Sequence, residues 1–237
     1  MIRAYLFLAF FIPFTGLMAF SAICASLFDQ TGRWMHRHAC FWSWGGLNVA
    51  GVRYRVAGAE NVPTEGPVIF MSNHQGNFDI LTLYQAVPRP FAWLAKEELF
   101  KIPVFGHSMA RGGYIPIDRS DGRKALKSLA AAAELIRAGR SVLMFPEGTR
   151  STDGQLLPFK RGGFILAAKA GVPVVPIAIS GSLLINPPRQ ICLKPGTITV
   201  RFGTPIMQEN AKAAVLQDQV YSAINALLEE PCSVPLR

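Results

Sequence analysis

Residues 141–151 have the sequence SVLMFPEGTRS, a short apolar run that ends abruptly in a polar turn. Such a run, bounded by turn residues, is typical of a buried strand, and Pro and Gly turn the chain where it leaves the sheet. The turn presents Glu147, Thr149 and Arg150 together. A carboxylate can accept hydrogen bonds from polyol hydroxyls, and a guanidinium can bind a phosphate through two nitrogens. The alternative is a surface turn in which Glu147 and Arg150 pair with each other.

A second polar segment, SNHQGNFD at residues 72–79, also follows an apolar run. His74 therefore stands at the end of a predicted strand, where catalytic groups of α/β proteins gather. In a continuous helix, side chains five positions apart point about 140° apart, so His74 and Asp79 would not meet. The Gly-Asn pair between them indicates a loop instead, with Asp79 in the first helical turn. There its carboxylate can accept a hydrogen bond from one imidazole nitrogen, which leaves the other as a general base.

Short apolar runs alternate with helical stretches from residue 49 onward. We predict strands at residues 52–56, 67–71, 91–94, 114–117, 141–145, 172–179 and 197–202. We predict helices at residues 79–87, 122–138, 162–170 and 209–228. Alternation of this kind indicates an α/β fold.

The N-terminal segment is apolar, since residues 4–28 contain no charged side chain. At about 1.5 Å per residue, a straight helix of this length reaches across the hydrocarbon core of a bilayer. Pro13 and Gly16 interrupt it, so a kinked or half-inserted helix is the alternative to a spanning one. A cleaved signal peptide is disfavoured, because the run exceeds a typical signal core and no clean cleavage site follows.

The next segment, residues 29–44, mixes arginine and histidine with aromatic side chains and holds three of the four tryptophans. Trp prefers the headgroup level of a membrane, and Arg side chains can extend toward it. We therefore predict an interfacial amphipathic helix that ends at Gly45-Gly46, with an ordinary packed helix as the alternative. The predicted organisation is a membrane-binding helix pair at residues 1–47 and a globular domain at residues 48–237.

The composition favours a partner that is both apolar and anionic. Hydrophobic residues make up 50% of the chain and charged residues only 16%, while the net charge is +9 at pH 7. A basic surface suits nucleic acid, anionic lipid headgroups or phosphorylated ligands, and the apolar composition favours the last two. The cations form no dense tract of the kind found in nucleic-acid-binding arms, so we predict no nucleic-acid partner. The four cysteines include no C-x-x-C pair, and we predict no metal site.

Two further clusters place cations beside glycines. Residues 111–119, RGGYIPIDR, end in Arg119 at the close of a short predicted strand, where it can contribute to an anion pocket. Lys160 precedes Arg161 at a predicted helix start, where main-chain N–H groups also favour anions.

Together these segments resemble the four ordered sequence blocks of the glycerolipid acyltransferase family, whose type member acts on 1-acylglycerol-3-phosphate (lysophosphatidic acid). An N-H-x-x-x-x-D block is matched by Asn73, His74 and Asp79, and a G-x-x-x-I-x-R-like block by Gly113, Ile117 and Arg119. Residues 145–151 match F-P-E-G-T-R-S completely, and residues 172–177 match V-P-V-x-P-[IV]. One departure is Gly76, which stands where a serine is frequent.

The resemblance implies a mixed α/β sheet flanked by helices, an N-terminal membrane-binding helix pair, and acyl transfer from a thioester to a hydroxyl. His74 is then the general base and Asp79 orients it, with no cofactor and no covalent acyl-enzyme. The implied substrate-binding residues are Arg119, Glu147, Gly148, Thr149, Arg150 and Lys160. The strand at residues 172–177 either supports an acyl-chain tunnel or packs the core.

The same resemblance suggests lysophosphatidic acid as the acceptor and membrane lipids as partners. Acyl-CoA or acyl carrier protein would be the donor, and both are cytosolic. We therefore expect the domain on the cytoplasmic face of the inner membrane. Another lysophospholipid or a lyso-ornithine lipid is the alternative acceptor.

Two other classes of function are weaker. A serine hydrolase would use Ser108, but the segment GHSMA lacks the last glycine of a G-x-S-x-G elbow and a good preceding strand. His107, in the same segment, is the other candidate base of the globular part. A non-catalytic lipid-binding protein would not need His74 and Asp79 together. The glycine-rich motifs of nucleotide-binding loops do not occur.

Overall fold

The computed structural model describes residues 1–29, 32–118, 122–207 and 212–230. Its strands are β1 (Val52–Ala57), β2 (Ile69–Ser72), β3 (Ala92–Lys96), β4 (Ile115–Ile117), β5 (Val142–Met144), β6 (Val174–Ser180) and β7 (Gly196–Phe202). Its α-helices are α1 (Ile2–Ala25), α2 (Arg33–Ala50), α3 (Phe78–Ala86), α4 (Phe105–Arg111), α5 (Gly122–Arg137), α6 (Arg161–Ala170), α7 (Ser182–Ile185) and α8 (Ala213–Glu229). Short 3₁₀ turns lie at Ala59–Asn61 and Glu97–Lys101.

The strands form one sheet in the order β1-β7-β6-β2-β5-β3-β4. Neighbouring strands are parallel except β6 and β7, which are antiparallel. The prediction of a mixed sheet is therefore confirmed, and every predicted strand is present. Since β2 lies between β5 and β6 near the centre, the polar segment that follows it begins deep in the fold.

Helices cover both faces of the sheet, as the side chains of β2 show. Ile69 and Met71 belong to a hydrophobic cluster that includes Phe164 of α6 and Leu216 of α8. Phe70 belongs to the opposite cluster, which includes residues of α2 and α3. Successive strand side chains point to opposite faces, so a strand buried on both sides reads as a continuous apolar run.

The second helix is longer than the sequence predicts. We expected it to end at Gly45-Gly46, but α2 continues to Ala50, so that prediction is wrong. A Cβ atom at Gly45 would lie 2.8 Å from a ring carbon of Phe14, and one at Gly46 would lie 2.6 Å from a ring carbon of Phe11. The glycines therefore let α1 pack closely against α2 and do not terminate the helix.

Helix α1 buries small residues against the protein and leaves several large apolar residues exposed. Its buried residues are Ala4, Ala19 and Ala22, whereas Leu17 and Phe20 are 64% and 60% exposed. Among the described residues, α1 is the one helix whose length and composition would let it cross a membrane. On α2, the exposed aromatic side chains are Trp34, Phe41 and Trp44.

Two short helices, α4 and α7, were not predicted. Each spans only one or two turns, which is too short to produce a recognisable hydrophobic period. The last predicted helix is present as α8 and begins at Ala213, and residues 209–211 of the prediction lie outside the described residues.

Candidate active site

The site lies where β2 and β5 end. These strands are parallel neighbours, and Met71 pairs with Met144 in their register. Because parallel strands deliver their carboxyl ends to the same edge of a sheet, the loop after Ser72 and the turn at residues 145–151 leave the sheet side by side. The two segments that carry the predicted catalytic chemistry therefore meet.

His74 and Asp79 are joined by a hydrogen bond of 2.7 Å between Nδ1 and Oδ2. Asp79 lies in the first turn of α3 and is fully buried. The same Oδ2 accepts the main-chain N–H groups of Gln75 at 2.7 Å and Gly76 at 2.8 Å, which hold the loop around the carboxylate. When Nδ1 of His74 donates to Asp79, Nε2 carries the lone pair and can accept a proton.

Phe145 packs against one face of the His74 imidazole. The rings of His74 and Phe145 are stacked, with centroids 3.9 Å apart and an angle of 6° between their planes. The ring of Trp93 of β3 also packs against Phe145, with centroids 5.4 Å apart. No role was predicted for this phenylalanine, although it lies at the end of β5, next to the His74 loop.

Glu147 does not pair with Arg150, so the alternative of a surface ion pair is wrong. The Glu147 side chain is buried, and its Oε1 accepts the main-chain N–H of His74 at 2.6 Å. Its Oε2 accepts the N–H of Leu157 at 3.0 Å. Burial raises the pKa of Glu147 to about 7; the N–H groups of Leu157 and His74 lower it, and the charge of Asp79 raises it.

Asn73 fastens the start of the loop to the neighbouring strand β6. Its Oδ1 accepts the N–H of Ile179 at 2.7 Å, and its Nδ2 donates to the Ile179 carbonyl at 2.9 Å. The side chain thus continues the pairing between β2 and β6 after β2 has ended. At Gly76, a Cβ atom would lie 3.0 Å from the Ser182 carbonyl oxygen, so the glycine admits α7 close to the loop.

Of the predicted substrate-binding residues, Arg150 and Lys160 lie beside this edge. Arg150 Nη1 donates to Oδ1 of Asn77, the residue before α3. The main-chain N–H of Lys160 donates to the carbonyl of Pro146 at 2.9 Å, and Lys160 directly precedes α6 with its side chain exposed. Arg119 lies outside the described residues.

The remaining two, Gly148 and Thr149, occupy the tip of the turn. Gly148 has φ 70°, a conformation that favours glycine, and its N–H donates to the carbonyl of Phe145 at 3.1 Å. Gly148 is half-buried, whereas Thr149 is exposed. The tip of the turn is therefore exposed at Thr149 and partly covered at Gly148.

A largely apolar cavity of about 280 Å³ adjoins His74, Phe145 and Gly148. Helices α1, α2 and α4 and strand β3 supply most of its walls. The apolar lining includes Met18, Ala19, Ala22, Met35, Ala39, Trp42, Ile80, Trp93, Leu94, Leu99 and Met109. Strand β6 contributes no lining residue, so the strand predicted at residues 172–177 packs the core. Sequence reasoning missed the cavity because its walls come from segments far apart in the chain.

The serine of the hydrolase alternative lacks the required geometry. Ser108 lies inside α4, not at a strand-to-helix turn, and its Oγ donates to the carbonyl of Phe105 at 2.7 Å. His107 is exposed on the same helix and does not line the cavity. Within the described residues, no three His, Cys, Asp or Glu side chains are grouped closely enough to hold a metal ion.

Comparison with known proteins agrees with this geometry. A family model described as Acyltransferase matches residues 53–180. Over 201 residues the chain is 38% identical to the chloroplastic 1-acyl-sn-glycerol-3-phosphate acyltransferase BAT2 of Brassica napus, which covers 84% of this chain and 57% of that one. Over 162 residues it is 41% identical to the 1-acyl-sn-glycerol-3-phosphate acyltransferase of Pseudomonas aeruginosa, covering 68% of this chain and 62% of that one.

The chain spans about half the length of the first curated relatives that it matches. The crystal structure of the 1-acyl-sn-glycerophosphate (LPA) acyltransferase PlsC from Thermotoga maritima superposes with a TM-score of 0.83 over 98% of each chain, at 24% sequence identity. That likeness shows the fold. The matched region of the family model covers more than half of the sequence and contains both the His74 loop and the turn at residues 145–151. This chain therefore belongs to the acyltransferase family.

Proposed function

We propose that this protein is a 1-acyl-sn-glycerol-3-phosphate O-acyltransferase. It transfers an acyl chain from acyl-CoA or acyl carrier protein to lysophosphatidic acid, and the product is phosphatidic acid. The observation that carries the proposal is the 2.7 Å bond between His74 and a buried Asp79 beside an apolar cavity. The acceptor is suggested by the names of the relatives in Brassica napus and Pseudomonas aeruginosa.

In the proposed reaction, His74 removes the proton from the acceptor hydroxyl as its oxygen attacks the thioester carbonyl. Asp79 keeps the imidazole oriented and stabilises the imidazolium that forms. The tetrahedral intermediate then collapses, the carbon–sulfur bond breaks, and the thiolate takes up the proton from His74. No acyl-enzyme is needed, because a thioester is already an activated acyl group.

The cavity beside His74 suits an acyl chain. Its walls are mainly hydrocarbon and sulfur side chains, and burial of each methylene contributes about 0.8 kcal/mol to binding. Because His74 and Gly148 line the same cavity, a chain held there would have its carbonyl end near the base. The cavity fits the donor's chain or the acceptor's chain by the same physical argument.

The acceptor's phosphate needs cations close to His74. Arg150 donates to Oδ1 of Asn77, so its guanidinium lies at the loop that carries the base. We propose Arg150, Lys160 and Arg119 as phosphate-binding residues, with Gly148 and Thr149 beside the glycerol. The sequence also predicted Glu147 as a substrate-binding residue, but each of its oxygens accepts a main-chain N–H of the protein itself, so we do not propose it as a contact of the acceptor.

We further propose that residues 1–47 bind the membrane and that residues 48–237 form the acyltransferase domain. The outward apolar side chains of α1, together with Trp34 and Trp44 of α2, support this division. Cytosolic thioester donors place the domain on the cytoplasmic face of the inner membrane. The net charge of +9 favours anionic lipid headgroups there.

The test is a transfer assay with the purified protein and a panel of acceptors. One labelled acyl-CoA, and in parallel the matching acyl carrier protein, is offered to lysophosphatidic acid, other lysophospholipids and a lyso-ornithine lipid. We expect labelled phosphatidic acid as the main product. A different acylated lipid as the product would be consistent with the mechanism but would identify another acceptor. No transfer from either donor would contradict the proposal. Loss of the reaction in Ser108→Ala alone would favour a serine nucleophile.

A further inference from the structure

Glu147 contacts the main chain of the base. Its side chain is 2% exposed and lies in the turn that follows β5, next to the His74 loop. Oε1 accepts the N–H of His74 at 2.6 Å, and Oε2 accepts the N–H of Leu157 at 3.0 Å. The carboxylate therefore joins the peptide group of His74 to the segment that leads into α6.

Other parts of the same turn contact His74 as well. The carbonyl of His74 accepts the N–H of Ser151 at 2.8 Å, and its ring stacks on Phe145. Three of the seven residues at positions 145–151 thus hold one histidine, by its ring face, its N–H and its carbonyl. Asp79 adds the fourth contact, at Nδ1.

We propose that Glu147 is a positioning residue for acyl transfer, which acts through the main chain of His74 and not through contact with the acceptor. This inference rests on the proposed function, since it assigns Glu147 a part in the same reaction. A base displaced by about 1 Å loses about 10²-fold in rate, so a contact that fixes its peptide group affects turnover. The acceptor's affinity depends on other side chains, such as Arg150.

The ionised carboxylate is the form that performs this role. Two oxygens without protons can accept both N–H groups, whereas a protonated carboxyl carries a hydrogen on one oxygen and accepts less well there. Burial raises the pKa of Glu147 to about 7, so the carboxyl gains its proton in the neutral range. Acidification through this range should therefore loosen the His74 main chain.

The first test is Glu147→Gln, which keeps the shape of the side chain but turns one acceptor oxygen into an NH₂ donor. We expect kcat to fall by about 10- to 10²-fold, with the KM for lysophosphatidic acid changed by less than about 3-fold. The acid limb of the kcat–pH profile should also become less steep, because the Glu147 carboxyl no longer titrates near pH 7. Glu134→Gln, on the exposed face of α5, is the matched control and should leave all three quantities unchanged.

A rise in the KM for lysophosphatidic acid of more than about 10-fold with unchanged kcat would show that Glu147 binds the acceptor equally in the ground state and the transition state. That result would overturn the proposal. Unchanged kcat and an unchanged acid limb would overturn it as well. Arg150→Gln provides the contrast, since loss of a phosphate contact should raise KM first.

A second measurement needs no Glu147 variant and no activity. The amide resonance of Leu157 reports on Oε2 of Glu147. It should titrate near pH 7 in the parent and also in His74→Gln, which has no imidazole at position 74. The amide of residue 74 should shift over the same pH range. An amide of Leu157 that does not titrate would contradict the proposal even if the protein transferred acyl chains normally. Conversely, if both amides titrate but the protein transfers no acyl chain, the Glu147 contact is supported and the proposed function is contradicted.

Discussion

The imidazole of His74 lies flat against the ring of Phe145, with ring centroids 3.9 Å apart and planes inclined by 6°. Asp79 holds the same imidazole at its edge through Nδ1. The ring is thus fixed in one plane and at one rotation, and Nε2 is the nitrogen left for chemistry. Rotational freedom that is removed before the reaction does not have to be lost in the transition state.

Phe145→Leu should lower kcat while leaving the fold intact. The leucine keeps much of the apolar volume but removes the flat surface under the imidazole, so we expect a fall of about tenfold. Phe164→Leu is the control, because Phe164 is equally apolar and fully buried in α6 on the other face of the sheet. Phe164→Leu should lose at least as much thermal stability, because Phe164 is the more deeply buried ring, and the kcat of the folded fraction separates a catalytic effect from a stability effect. Equal kcat values in the two variants would contradict a role for the ring stack.

The pKa of Glu147 makes a second prediction, about stability. Folding raises this pKa from 4.5 to about 7, so the folded state favours the protonated carboxyl. That favourable contribution is fully present below pH 4.5 and is lost as pH rises through about 7. In Glu147→Gln the contribution no longer varies with pH. The parent should therefore lose unfolding free energy relative to the variant between these pH values, as measured by denaturant titration, and a constant difference would be inconsistent with the raised pKa.

The sequence predicted the fold and the contact between His74 and Asp79 because both depend on local signals. Each strand is a short apolar run closed by turn residues, and the His74 loop lies where one such run ends. The Gly-Asn pair before α3 indicated the loop that brings Asp79 back to the imidazole. Those signals lie within a few residues of the side chains that they position.

The parts that could not be predicted depend on packing between distant segments. Gly45 and Gly46 resemble a helix end, and only the approach of Phe14 and Phe11 explains why α2 continues through them. Likewise, the sequence predicted Glu147 as a substrate-binding residue. Its hydrogen bond to the main chain of His74 arises because β2 and β5 are paired in the sheet. The contact could not be predicted, because the sequence alone does not show which strands are neighbours in the sheet.

Filling the cavity should change which acyl chains are used. Ala39 of α2 lines the cavity between Met35 and Trp42, and Ala39→Leu places a larger side chain there. We expect kcat/KM for long acyl donors to fall about tenfold relative to short ones, the scale associated with a methylene in an apolar pocket. Val49→Leu, at an exposed position on the same helix, should leave the ratio unchanged. An unchanged preference for donor chain length in Ala39→Leu would indicate that the donor's chain lies elsewhere.

The outward face of α1 should be responsible for membrane binding. A charge at the centre of an inserted helix costs about 2.5–3.5 kcal/mol, so Leu17→Asp with Phe20→Asp should lower the vesicle-bound fraction at least about tenfold. Val215→Asp, at a 49% exposed position on α8, is the control and should bind like the parent. Flotation with anionic vesicles measures the fraction. If the double variant floated like the parent, α1 would not be the inserted element.

The most direct test of the catalytic assignment compares the parent with His74→Ala in one transfer assay. Labelled acyl-CoA, or the matching acyl carrier protein if that is the active donor, is supplied with lysophosphatidic acid. Both proteins are first matched for thermal stability and vesicle binding. The parent should form phosphatidic acid, and removal of the general base should slow the reaction at least about 10²-fold. Equal rates for the parent and His74→Ala would contradict the assignment of His74 as the base.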